Sequence, residues 1–272
     1  MKLTYLGTAA AEGFPAVFCN CEFCNRARAL GGKNIRTRSQ MLVNDDLLID
    51  LPADTYSHFL QNGILGDGIR YLLVTHSHLD HFYPAELEMR HGAFARNMRV
   101  PQLQIFCGRG VYDKLQAAIG EQQGFSATLV KAYEKVCVGD YEVIPLPARH
   151  FAGDDAMIYV IRGEKTVLYA HDTGYLYDEV LDYIEKEQLY FDLISLDCTN
   201  VDIPIADTGS HMGLENIGRL LEKLSKIHAI DEKTVKYINH FSHNANPIQS
   251  VLEDRVKDMN LLVSYDGLQV EL

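Results

Sequence analysis

The chain has 272 residues, 47% of them hydrophobic and 23% charged, which supplies a proper core and argues against disorder. Its net charge of −12 opposes a stable nucleic-acid complex, because non-specific binding depends on Lys and Arg neutralising phosphates. No apolar run approaches the roughly 20 residues of a membrane span, and the six cysteines read as thiols or metal ligands of a reduced, cytoplasmic protein rather than as disulfides.

In chain order, "KLTYLG" predicts a strand rather than the core of a secretory signal. "SQMLVNDDLLIDL" predicts a hairpin turning at Asn44-Asp45, and "DTYSHFLQNG" a short helix ended by Gly63. "IRYLLVTHS" reads as a buried strand. "PAELEMRHGAFARN" reads as a helix opened by Pro84, followed by the strand "LQIFCG" and the helix "GVYDKLQAAIGEQQG". In the second half, "YEVIPLPARH", "AMIYVIRG" and "KTVLYAHD" predict strands, the last two joined around Gly163-Glu164. They are followed by the helix "YDEVLDYIEKEQ" and the strand "FDLISLDCT". "GLENIGRLLEKLSKIHAI" is amphipathic, with Leu214, Ile217, Leu220, Leu221 and Leu224 on one face. The strand "TVKYINHFS", the helix "IQSVLEDRVKDM" and the strands "LLVSYDG" and "LQVEL" complete the chain. With no linker or repeat, residues 1–272 read as one α/β domain. Hairpins mixed with helices fit two mixed sheets packed together, with helices outside, better than one all-parallel sheet.

The strongest chemical signal is "THSHLDH". His76 and His78 are two apart after an apolar strand, so an extended chain projects them to one side. Asp80 and His81 follow where the chain turns. Three imidazoles and a carboxylate in six residues at a strand end point to metal binding. His150 closes "VIPLPARH", Asp172 closes "TVLYAHD" and His240 closes "KYINH", each a ligand type at the end of a strand. His58, His91 and His228 read as surface or satisfied histidines. Strand alternation turns His171 away from Asp172 and gives it a structural role.

The H-x-H-x-D-H pattern, with "LLID", "RH" at 149–150, "HDTG" and "INHFSH" in that order, resembles the metallo-β-lactamase superfamily over nearly the whole chain. The resemblance implies a four-layer αβ/βα sandwich with a dinuclear site at one sheet edge. It implies that His76, His78 and His150 hold one divalent ion, zinc or manganese, and Asp80, His81 and His240 a second, with Asp172 bridging. Two such ions lower the pKa of a shared water and neutralise charge on the attacked centre. Asp80 and His211 are the expected catalytic residues. His211 precedes a helix N-terminus and matches the catalytic histidine of the phosphodiesterase branch, where it would protonate a leaving group. Asp50 and Asp197 read either as carboxylates orienting ligand histidines or as caps of turns.

"CNCEFCNRARALGGKNIRTRSQ" looks like the start of the carbon–phosphorus lyase pathway phosphodiesterases. The likeness implies hydrolysis of a small phosphodiester, such as a ribosyl cyclic phosphate. Cys19, Cys21 and Cys24, joined by His243, would form a closed structural zinc site. Cys107, Cys137 and Cys198 are expected to pack as small buried residues. Arg26, Arg28, Lys33, Arg36 and Arg38 form a basic island that either draws in a phosphate or lies in a solvated loop. Hydrolysis of an ester, lactone or thioester is the alternative activity. A non-catalytic carrier on the same fold is a third reading, and a homodimer remains open.

Overall fold

The structure is a computed structural model that describes residues 1–120, 124–151 and 155–272. The short apolar runs form strands β1 (Lys2–Gly7), β2 (Gln40–Val43), β3 (Leu47–Ile49), β4 (Tyr71–Val74), β5 (Leu103–Cys107), β6 (Phe125–Leu129) and β7 (Val136–Val138). The second half adds β8 (Tyr141–Pro147), β9 (Met157–Arg162), β10 (Thr166–Ala170), β11 (Leu193–Asp197), β12 (Val235–Asn239), β13 (Leu262–Val263) and β14 (Leu268–Glu271). The helices are α1 (Glu22–Leu30), α2 (Thr55–Asn62), α3 (Arg109–Ile119), α4 (Asp178–Lys186), α5 (Leu214–Lys226) and α6 (Gln249–Val256). The strands make two seven-stranded mixed sheets, in the orders β14-β1-β2-β3-β4-β5-β6 and β13-β12-β11-β10-β9-β8-β7.

Alternation along the strands decides the layering. One face of each sheet meets the other in a core containing Leu3, Tyr5, Met41, Tyr159, Tyr169 and Leu193. The opposite face of the first sheet is covered by the helical side, with Leu87, Val111 and Leu115. That of the second is covered by Val180, Ile184, Ile217, Leu220 and Leu252. This is the expected four-layer αβ/βα sandwich. Each fully buried Leu or Ile of this kind contributes about 1.5–3 kcal/mol, so α5 is held by its apolar stripe more than by propensity. Leu221, expected on that stripe, is only partly buried at its edge. The turn residue Asn44 has φ 49°, and Gly63 ends α2 at φ 64°, a left-handed cap that costs glycine nothing.

Four elements differ from the sequence reading. The helix expected over 84–97 is a 3-10 segment, Pro84–Arg90. It stops because His91 is extended and Gly92 turns left-handed at φ 62°. α1 stands where a loop was the alternative reading; its N-cap is Cys21, whose sulfur accepts from Cys24 N, and not an ordinary capping residue. The edge strands β6 and β7 were not anticipated, being short and only partly buried. Residues 121–123 of the expected helix "GVYDKLQAAIGEQQG" lie outside the described residues; α3 accounts for the part before them. Among the described residues no helix is long and apolar enough to cross a membrane.

Candidate metal centre

The pairing directions bring six strand ends to one edge. β3 and β4 run parallel, as do β10, β11 and β12, and β8 shares their direction through two antiparallel pairings. Asp50, His76, His150, Asp172 and His240 each follow the carboxyl end of one of these strands within three residues, and Asp197 ends β11. Asp50, Asp172 and His240 adopt φ of 65°, 55° and 62°. Left-handed backbone is costly for residues with a Cβ and gathers at functional sites. Here it turns three side chains into the gap between the sheets just where each strand stops.

Three groups of ligand-type atoms result, each within 4.8 Å: His76, His78, His150 and Asp172; Asp80, His81, Asp172 and His240; and Asp172, Asp197, His211 and His240. Asp172 joins them. Its Oδ2 lies 3.0 Å from His76 Nε2 and 3.0 Å from His81 Nε2. Its Oδ1 lies 3.2 Å from His150 Nδ1. His78 Nδ1 faces His76 Nε2 at 3.0 Å and His150 Nε2 at 3.1 Å. His81 Nε2 faces His240 Nε2 at 3.3 Å. Burial holds His78 and His240 below the ordinary histidine range and pushes His150 down to about 4, which keeps their nitrogens as lone-pair donors. Burial opposes charge on Asp172, but His240 and His76 hold it well below the usual carboxylate range. Burial likewise opposes charge on Asp80, which His81 overcomes, lowering it. Burial disfavours charge on His81 too, yet Asp50 and Asp80 raise it well above the ordinary value. The second group therefore draws positive charge, and a cation satisfies the same carboxylates as a proton.

These residues fit divalent ions on their own chemistry. Asp172 Oδ1 is buried without a hydrogen-bond donor. An orphaned carboxylate oxygen among converging imidazole nitrogens is costly unless a cation compensates it.

The second ring of contacts fixes these rings. Asp50 is fully buried; its Oδ2 accepts from His81 Nδ1 at 2.7 Å, while Oδ1 accepts from Thr75 N at 2.8 Å. The Thr75 hydroxyl also lies 3.0 Å from His76 Nδ1. On the other side, Asp197 Oδ2 holds His211 Nδ1 at 3.1 Å, and its Oδ1 accepts from Thr199 N and Met212 N, so it both orients the ring and ties the turn. The Thr199 hydroxyl reaches His240 Nδ1 at 2.9 Å. His211, 26% exposed, keeps its Nδ1 edge on Asp197 and Asp172. Burial opposes its charge, but those carboxylates push it up to about 9. Thr75 and Thr199 escaped the sequence reading. Their only signal is adjacency, one before "HSHLDH" and one after "LDC".

The loop carrying His211 lies directly on "HDTG". A Cβ on Gly174 would stand 1.8 Å from the Gly209 carbonyl oxygen, so this crossing requires glycine. Farther along the edge, Cys19, Cys21, Cys24 and His243 form another group within 4.8 Å. His243 Nδ1 is 3.6 Å from Cys24 Sγ and 3.9 Å from Cys21 Sγ. The Cys24 N–H, then His243, hold the Cys21 thiol low, in the direction of thiolate.

His171 points away from Asp172, as alternation requires, with Nε2 2.6 Å from Ser195 Oγ. His58 is buried and hydrogen-bonded, whereas His228 is exposed. Cys137 is exposed on its edge strand, against expectation, while Cys107 and Cys198 are buried. Much of the basic island lies in α1 and a 3-10 turn rather than in a free loop, and Arg26 is exposed there. Arg28 donates to the Ala16 and Cys19 carbonyls, Arg38 pairs with Asp54, Lys33 lies over Tyr265 and Arg36 is buried.

Residues 50–240 match a family described as the beta-lactamase superfamily domain. The chain is 25% identical over 319 aligned positions to coenzyme PQQ synthesis protein B of Acinetobacter baylyi, with the whole of both chains covered. Among solved structures it resembles a diphosphatase from the PhnP family, at TM-score 0.78 and 21% identity, covering all of this chain and 97% of the other. It also resembles zinc-bound PqqB from Methylobacterium extorquens, at TM-score 0.76 and 17% identity, with both chains fully covered.

Proposed function

The chain belongs to the β-lactamase superfamily, and on that premise we propose that it is a metal-dependent hydrolase that cleaves a small phosphodiester. The observation that carries the reading is the pair of ligand groups sharing Asp172, with the His211–Asp197 pair beside them. His76, His78 and His150 would hold one ion and Asp80, His81 and His240 the other, with Asp172 common to both. Imidazole and carboxylate donors suit zinc or manganese. Bound there, two such ions supply Lewis acidity at the phosphoryl centre and acidify water. Asp80 holds charge against His81, and Asp50 and Thr75 keep His81 and His76 in register. Asp197 anchors His211 through Nδ1, which leaves Nε2 to deliver a proton to the departing oxygen. Cys19, Cys21, Cys24 and His243 would take a further zinc as a closed site with no place for substrate.

Metal content per chain, together with turnover of a ribosyl cyclic phosphate, bis-p-nitrophenyl phosphate and simple esters, tests the reading. Two ions beyond the sulfur-bound one, with phosphodiester preferred, is the expected result. Preference for ester, lactone or thioester substrates would replace it with the alternative hydrolase. The full-length likeness to proteins named for coenzyme PQQ synthesis favours a second reading, a role in making a coenzyme. Absence of hydrolysis across the panel with both ions loaded would favour that role.

A further inference from the structure

The stretch "SHLDHF", residues 77–82, carries three of the seven candidate ligands, His78, Asp80 and His81, on turns rather than in a strand or helix. Its backbone can be accounted for group by group. The His78 carbonyl accepts from the amides of His81 at 3.1 Å and Phe82 at 2.7 Å, which closes a turn. The His81 carbonyl accepts from Leu51 N at 2.7 Å, and Tyr83 N returns to the Leu51 carbonyl at 2.7 Å, so the residue after Asp50 holds one part of the loop. The two carbonyls that bracket the ligands, those of Ser77 and Phe82, both go to one side chain. Lys114 of α3 donates from Nζ to the Ser77 carbonyl through a short contact and to the Phe82 carbonyl at 3.0 Å.

The chemistry of the ammonium suits this place. It carries three hydrogens on one centre, so it can serve two carbonyls set apart, where a hydroxyl would serve one. Phe82 has no exposed surface, so its carbonyl needs a donor from the protein. The Phe82 ring packs in the outer apolar layer that Val111 and Leu115 of the same helix help to fill. Lys114 Nζ lies 5.9 Å from the centroid of that ring, within reach of a cation–π contact. Helix, ring and ammonium thus meet the loop at one point.

We propose that Lys114 is a positioning residue for the candidate metal centre. One ammonium ties both ends of the loop to α3 and, together with Leu51, fixes where His78, Asp80 and His81 stand. His78 belongs to one ligand group and Asp80 and His81 to another, so the clamp serves both ions, whereas the Asp50 carboxylate touches one ligand, His81. The sign of the effect separates a clamp from a charge. A lysine near a cation site repels the ion through its field, and if the field were all, removing Lys114 would tighten the metal. Losing a clamp loosens the ligands and weakens it.

The inference rests on the reading of these residues as ligands, so the experiment separates the two. Stepwise zinc affinity is measured by chelator competition on the full chain for the wild type, Lys114→Met and Lys114→Arg. Amide hydrogen exchange at His81 and Phe82 is followed in the same samples, with and without added zinc. Met keeps the apolar stem and loses the donors. Lys114→Met should weaken both ions of the centre by about tenfold, the scale of outer-shell changes, with the sulfur-bound zinc unmoved. Exchange at His81 and Phe82 should quicken in that variant while the amides of β4 keep their wild-type rates. Lys114→Arg restores donors on a long stem and should recover the affinities to within about threefold. Lys114→Gln, which keeps a polar head, carries the expectations of Lys114→Met should that variant not fold. Unchanged or tighter zinc in Lys114→Met, even with a lowered melting temperature, would overturn the positioning role. Wild-type exchange at His81 and Phe82 in that variant would overturn the clamp itself. A wild type that takes up no zinc at this centre would sink the metal reading and the positioning role together, with the exchange rates still showing whether Lys114 holds the loop.

Discussion

Replacing Asp50 with Asn tests how far the ligand rings depend on what stands behind them. Asp50 Oδ2 accepts from His81 Nδ1 at 2.7 Å, and Oδ1 accepts from Thr75 N at 2.8 Å and the Thr75 hydroxyl at 2.9 Å. Both carboxylate oxygens are used and the residue is fully buried. Asn offers one acceptor, so either His81 or Thr75 meets an NH2 group. Losing a buried hydrogen bond to a charged group costs about 1.5–3 kcal/mol, which corresponds to roughly 10- to 150-fold in an equilibrium constant. The backbone is not a confounder, because Asn tolerates the left-handed φ of 65°. Asp50→Ala would add about 1 kcal/mol of backbone strain and should lower the melting temperature further. Chelator competition on the purified chain should find one ion weakened by that factor in Asp50→Asn and the sulfur-bound zinc unchanged. Wild-type affinity for every ion in Asp50→Asn would refute the claim that this carboxylate holds His81 in its binding pose.

His211→Ala should lower phosphodiester turnover with metal content intact, and the loss should shrink as the leaving group improves; equal losses across leaving groups would show that the ring positions substrate instead. Cys21→Ser should remove about one zinc per chain by elemental analysis and lower the melting temperature, while two ions remain. Gly174→Ala forces the Gly209 carbonyl away, so it should cut turnover more than it cuts zinc content, measured on the same sample. Asp266 gives a pH signature in stability. Its folded value, about 6, lies above its ordinary 3.8. The folded state thus holds the proton more tightly, and stability that is full below about 3.8 is lost as pH rises through 6, by roughly 3 kcal/mol. Melting curves of the wild type against Asp266→Asn should therefore diverge in favour of the variant over that window.

The sequence carried most of the fold because strand ends and candidate ligands coincide. "KTVLYAHD" is legible as a strand from its apolar run and as a site from its last residue, and β10 with Asp172 is that strand. The amphipathic stripe of α5 was equally plain. The 3-10 segment after Pro84 was not, since a left-handed Gly92 overrides a run of good helix formers. α1 hid because a sulfur caps it. His58 is the satisfied core histidine the sequence suggested, but its partners Gln40 and Thr37 lie 18 and 21 residues away and only the fold brings them to its two nitrogens. Thr75 and Thr199 were silent because threonine is common at strand ends, and only the fold puts those hydroxyls against imidazoles.

His240 and His243 stand three residues apart after β12, and each would complete a different metal set. During synthesis the thiols of Cys19, Cys21 and Cys24 emerge first, and His243 is added more than 200 residues later. At ordinary elongation rates that interval is roughly 10–45 s. For all of it the three thiols stand without the imidazole that would complete their set. The ribosome delivers sulfur first and imidazole last, so loose thiols are offered to metal before the strand end that carries His243 exists.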